Sequence, residues 1–219
     1  MSYRCEKEKD YKVLLKKSGL RFRPLDDPFA VDLGLHKWLS DAREEAYSSW
    51  LAWVLMLLSK SKHVEEVFSI DFGYSVEGAI RCELEEWVHE GHVGQSGKID
   101  ILVHFQEMPA LVIEVKVGDA DDADRGKQTG YAKSFRKKKT FGKSVTKILL
   151  ASSGEQRKYE GGFVLKKWDQ VCVNLRRLVP ILGLNLNQKA IILAFVGAVE
   201  QNIADLPDIT SHIAMGLEK

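Results

Sequence analysis

Cysteine is scarce in this 219-residue chain: Cys5, Cys82 and Cys172 are odd in number, far apart, and form no Cys-x-x-Cys pair. Neither a disulfide framework nor a zinc ribbon is indicated, and a reducing cytoplasm is the compartment such usage predicts. Long apolar runs are missing as well, and the longest fall short of the roughly 20 residues that span a bilayer. The opening residues mix charges (Arg4, Glu6, Lys7, Glu8, Lys9, Asp10) where a secretory leader would be apolar, so the expectation is a soluble, internal protein without membrane contact. There is no excess of one charge: 32 Lys+Arg against 31 Asp+Glu leave +1, which neither demands nor excludes a nucleic-acid partner. Repeats and low-complexity tracts are absent, so solenoid architectures fall away.

Two familiar chemistries also lack their residues. His89 and His92 miss the i, i+4 spacing of a zinc-protease helix, and Gly91 disfavours a helix there. Gly142-Lys143-Ser144 has the form of the end of a phosphate-binding loop, but Lys137 stands where the first glycine belongs.

What the chain does contain is enough apolar residue, 45%, for one substantial core and too little length for two comfortable domains. Residues 1–38 form a polar, partly basic leader or cap ending at the Pro24 and Pro28 turns. Asp41 predicts the N-cap of an apolar helix reaching about Ser59. Strand-like segments follow at Glu77 to Val88, Ile99 to Phe105 and Ala110 to Val117, the last two joined through Gln106 to Pro109. A helix over Ala123 to Lys137 and a short strand over Val145 to Ala151 complete an αβββαβ order within residues 41–152. Helices at Lys167 to Leu182 and, after an Asn187 cap, Gln188 to Ala204 follow. The reading is one α/β domain over 39–219, with a central sheet flanked by helices.

Charge sits inside two of those strands. Asp100 shares a strand face with Leu102 and His104, opposite Ile99, Ile101 and Val103; Glu114 and Lys116 share a face opposite Ile113, Val115 and Val117. Ionised groups among buried neighbours cost several kcal/mol unless paired, hydrated or bound to metal. Paired as a hairpin, the two strands set the carboxylates of Asp100 and Glu114 opposite each other, a donor set suited to magnesium or manganese. A lysine beside them can orient water or steady charge on a phosphate. His104 lies about 13 Å along the strand from Asp100 and reads as a packed or rim histidine. Taken alone, a Glu-x-Lys pair on a strand is most often a solvated ion pair worth under about 1 kcal/mol. It is the combination with Asp100 and the order of elements that points to metal-assisted phosphodiester hydrolysis.

Asp100, thirteen intervening residues, then Ile113-Glu114-Val115-Lys116 resembles the PD-(D/E)xK nuclease superfamily. Gln128 and Tyr131 look like the Gln-x-x-Tyr helix of many members, and the run Arg43 to Trp53 looks like the first core helix, whose glutamate often joins the metal site. The proline of the family name is absent, since Ile99 precedes Asp100. Both Glu44 and Glu45 are open for the helix position; Glu44 is favoured because it shares its stripe with Ser48, Leu51 and Leu55. The resemblance implies a restriction-endonuclease-like core and a Mg- or Mn-dependent nuclease acting on DNA. It implies metal ligation by Asp100, Glu114, the Val115 carbonyl and Glu44, with Lys116 positioning water and Gln128 fixing the site or contacting a phosphate. The alternative is a catalytically inactive module of the same fold that binds nucleic acid or a protein.

Lys133, Arg136, Lys137, Lys138 and Lys139 crowd the segment after Gln128 and, with Tyr131, are candidates for contacting the nucleic-acid backbone. Cations also favour a helix C-terminus, so any one of these lysines is as well explained as a solvated helix end. One such site cuts one strand, so a double-strand break requires a homodimer or two engagements.

Overall fold

The computed structural model describes residues 44–73, 75, 77–88, 97–106, 108–117, 145–152 and 162–203, together with Val13 and Leu39. The chain divides into two compact units, Arg43–Lys167 and a second made of Met1–Ala42 with Trp168–Lys219.

The first unit is built on a five-stranded mixed sheet in the order β1-β2-β3-β4-β5. Its strands are β1 (Ile80–Val88), β2 (Gly97–Phe105), β3 (Met108–Val115), β4 (Thr146–Ala151) and β5 (Val164–Lys167). β1, β2 and β3 form an antiparallel meander, whereas β4 pairs parallel to β3 and β5 parallel to β4. The β2–β3 hairpin closes tightly, with Phe105 opposite Met108, so the connection is two residues long and β3 begins earlier than the expected Ala110. Gln106 takes a left-handed φ of 48° there, which short hairpin loops require.

Side chains on both faces of the central strands are buried: Ile101, Val103, Leu111, Ile113, Val115, Ile148 and Leu150 on one, Leu102, Val112 and Leu149 on the other. That two-sided burial explains the near-continuous apolar runs of β3 and β4. Ile99, Leu102, Val112, Leu149 and Phe163 form one packed cluster with Val145 and Leu165 against it.

Helix α1 (Glu44–Leu57) buries Tyr47, Leu51, Val54 and Leu55 and lies against β1, β2 and β3. It stops where Ser59 turns left-handed (φ 55°). A second helix not expected from the sequence, α2 (Ser61–Phe68), follows at once and buries Val64, Val67 and Phe68, an i, i+3, i+4 stripe. It ends on Ser69, also left-handed, whose N–H reaches back to Glu65 O and Glu66 O. Beyond it Phe72 meets Phe105 of β2 edge to face, centroids 5.4 Å apart.

The described part of the second unit is helical: α3 (Trp168–Leu178), a 3-10 turn (Val179–Ile181) and α4 (Leu186–Asn202). The helix expected from Lys167 to Leu182 is shorter at both ends. Lys167 belongs to β5, and Pro180, without an N–H, converts the last turn to 3-10. The N-cap of α4 is Asn185 rather than Asn187: its side chain accepts from Gln188 N while the Gln188 side chain accepts from Asn185 N, a complete capping box. Arg176 of α3 clasps Glu200 of α4 through two bonds of 2.7 and 2.6 Å, and Trp168 meets Phe195 edge to face. No helix among the described residues is long and apolar enough to cross a membrane.

Candidate functional site

The β2–β3 ladder pairs Ile101 with Ile113, and one step further the register sets Asp100 beside Glu114. Here a side chain takes over the sheet's bonding, because the Val115 N–H donates to Asp100 Oδ2 at 2.7 Å. An ionised acceptor on a fully buried donor makes a strong, short bond, so the carboxylate of Asp100 is held against the end of β3. The ladder to β4 runs one residue past the strand, with the Lys116 N–H donating to Leu150 O at 2.7 Å. The backbone of Lys116 is therefore fixed by the sheet, and its side chain falls on the face of Glu114.

Lys116 Nζ lies 3.0 Å from Glu44 Oε2 and 3.4 Å from Glu114 Oε1. Lys116 is 8% and Glu114 3% exposed, and burial of that depth is tolerable only because opposite charges meet. Glu44 keeps 35% of its side chain exposed, so its limb of the bridge is screened by solvent and contributes less than the buried Glu114 limb.

Helical rotation separates the two glutamates that the sequence left open. Glu44, in the first turn of α1, reaches Lys116. Glu45 is exposed. Each backbone carbonyl is taken by the serine four residues on, Ser48 Oγ to Glu44 O at 2.9 Å and Ser49 Oγ to Glu45 O at 2.8 Å.

Four of the expected site residues, Asp100, Glu114, Lys116 and Glu44, thus come together from β2, β3 and α1, and Val115 is tied to them through its N–H. Gln128, Tyr131, Lys133, Arg136, Lys137, Lys138 and Lys139 lie outside the described residues. His104 is a packed histidine: it is buried, with Nε2 3.1 Å from Glu83 Oε2, and Glu83 also meets Arg81 at 2.9 Å. Among the described residues no three Asp, Glu, His or Cys side chains form a ready-made metal cage, and the ammonium of Lys116 pairs with both Glu44 and Glu114. The donors are nevertheless all carboxylate oxygens, the type that suits a hard cation.

Strand β5 was not expected, and it brings Lys166 and Lys167 to the same end of the sheet, opposite Leu150 and Ala151. The available signal was the apolar Phe163-Val164-Leu165 after Gly162, which takes a left-handed φ of 78°. Lys166 Nζ donates to Ser69 O at 2.9 Å, and partial burial holds its pKa below the usual lysine range.

No protein-family model, no curated protein and no solved structure matches the chain.

Proposed function

We propose that this protein is a metal-dependent nuclease that hydrolyses phosphodiester bonds, with DNA as the favoured substrate. The observation that carries the reading is the junction of Asp100, Glu114, Lys116 and Glu44 at the end of β3. Three of these four are charges on or beside strands where Ile99, Ile101, Val112, Ile113 and Val115 next to them are buried. The topology supports a restriction-endonuclease-like core: an antiparallel meander whose third strand runs parallel to the fourth, with α1 packed against it.

Asp100 and Glu114 would hold magnesium or manganese with the Val115 carbonyl, and Glu44 would complete or tune the shell. Magnesium needs only one or two protein carboxylates and takes its other ligands from water and substrate phosphate, so the small donor set fits. When bound, the cation supplies Lewis-acid polarisation of the phosphate and a more acidic water. The remaining work belongs to the chain. Asp100, pinned by the Val115 N–H, keeps a fixed orientation. Lys116, its backbone held by Leu150 O, swings only its side chain, positions the attacking water and steadies negative charge that grows on the phosphate oxygens. Low exposure at Glu114 and Lys116 strengthens each of these interactions relative to water. Gln128, by the family resemblance, would fix the site or contact a phosphate.

A second reading has its own observation. Lys116 already bridges Glu44 and Glu114 without a metal ion, offsetting one of their two negative charges, which suits a nuclease-fold module that binds nucleic acid or a protein without cutting. Incubation of labelled single-stranded, duplex and branched DNA, and an RNA control, with Mg or Mn separates the two. Cleavage by wild type, reduced about 10²-fold or more in Glu114→Ala and Lys116→Ala, is the expected result. Full cleavage by purified Glu114→Ala would sink the catalytic assignment. Silence from wild type, with no calorimetric Mn binding that Asp100→Ala abolishes, would leave the binding module.

A further inference from the structure

We infer that Lys167 binds a backbone phosphate of the strand being cut, one to three nucleotides from the scissile bond; this rests on the nuclease reading above. The sheet register carries the inference. Val115 pairs with Leu150 and Leu150 with Lys166, so the next row runs from Lys116 through Ala151 to Lys167, the last pair being an observed one. Partners in a parallel ladder point to the same face, which is that of Glu114, Leu149 and Leu165. Lys116 and Lys167 therefore stand on one face, in one row, two strands apart, about 10 Å by strand spacing.

Their circumstances differ in a useful way. Lys116 is buried between carboxylates. Lys167 is exposed, and among the described residues its side chain has no hydrogen-bond or ion-pair partner. Lys166, one residue earlier, faces the opposite side and is occupied by Ser69 O. A nucleic-acid strand presents one phosphate per roughly 3.4 Å of rise. If Lys116 attends the scissile phosphate, a flexible four-carbon stem rooted about 10 Å along the same face meets a phosphate up to about three nucleotides away. The ammonium is a point charge with no base-reading geometry, so the contact adds affinity without sequence preference.

The test compares wild type, Lys167→Ala, Lys167→Arg and, as control, Lys166→Ala on a labelled oligonucleotide of about twelve nucleotides and on a dinucleotide with a single phosphate. For the oligonucleotide, Lys167→Ala should raise KM about fivefold with little change in kcat, and lower the slope of log affinity against log salt by about one. The ratio of kcat/KM for the long over the short substrate should fall in Lys167→Ala and return in Lys167→Arg, while Lys166→Ala matches wild type. Unchanged KM and unchanged salt slope would overturn the inference, as would equal losses on both substrates. If wild type cuts neither substrate, the nuclease reading fails on its own. The salt slope of oligonucleotide binding by anisotropy then still decides Lys167, an unchanged slope in Lys167→Ala overturning its phosphate contact.

Discussion

Asp100 is asked to do two things, and a pair of substitutions pulls them apart. In the fold, its Oδ2 accepts the N–H of Val115 at 2.7 Å, and Val115 is 0% exposed. Asp100→Ala leaves that donor buried and unsatisfied, which costs about 1–3 kcal/mol. For a chain of this length each kcal/mol moves the thermal midpoint by roughly 2–4 °C, so a fall of about 2–12 °C is expected. Asp100→Asn offers a carbonyl oxygen in nearly the same place. It loses only the charge-assisted share of the bond, about half by the usual ratio of charged to neutral hydrogen bonds, and should cost about 1 kcal/mol or less. In the chemistry the two variants should be alike, because both remove one of the two carboxylate charges that would hold the cation, and a neutral oxygen does not replace that charge; both should lose cleavage about 10²-fold or more. Urea midpoints, thermal scans and the DNA cleavage assay on the same three proteins give the comparison. If Asp100→Asn proves as destabilising as Asp100→Ala, the hydrogen-bond account is wrong. If it cuts DNA like wild type, the ligand role is wrong.

Two further predictions concern groups away from the site. Arg176 and Glu200 are joined by two bonds with 14% and 2% of their side chains exposed; Arg176→Ala should destabilise by about 3–5 kcal/mol and the joint replacement Arg176→Met with Glu200→Leu by far less, as read from denaturant midpoints. Burial pushes the Cys82 thiol from 9.0 up to about 12. The folded state thus holds its proton longer than the unfolded one, and the stabilisation present below pH 9 is lost as pH rises from about 9 towards 12. Native Cys82 should also react with iodoacetamide far more slowly at pH 8 than in denaturant, and equal rates would refute the burial.

The candidate site's strand residues were legible because a period of two is a strong constraint: with Ile113 and Val115 buried on one face, Glu114 and Lys116 share the other, and the hairpin brings Asp100 to them. Helix rotation is a weaker constraint, since α1 is apolar nearly all round and the sequence separates Glu44 from Glu45 only by a modest difference of stripe. The Lys116 contact decides it. Short elements escaped for the reason short elements do. Helix α2 has eight residues, and β5 has four, whose existence depends on β4 as a template rather than on its own pattern. Asn185 was readable in principle, because Asn-x-x-Gln is a capping box signature, but the nearer Asn187 competed for it. The helix expected over Ala123 to Lys137, with Gln128 and the basic cluster, lies outside the described residues.

The mixed pairing of β3 also bears on how the chain is made. Its antiparallel partner β2 is a two-residue turn away, and a hairpin of that kind closes in microseconds. Its parallel partner β4 begins at Thr146, thirty residues further on, and at synthesis rates of 5–20 residues per second the far edge of β3 waits about a second or more without its neighbour. During that interval Leu111-Val112-Ile113-Glu114-Val115-Lys116-Val117 is an open-edged apolar strand, the kind of segment that captures other chains. Glu114 and Lys116 are its only charges. Two residues of the candidate site thus also serve as gatekeepers that keep the nascent strand from aggregating, and removing both would lower the protein's yield whatever it does to cleavage.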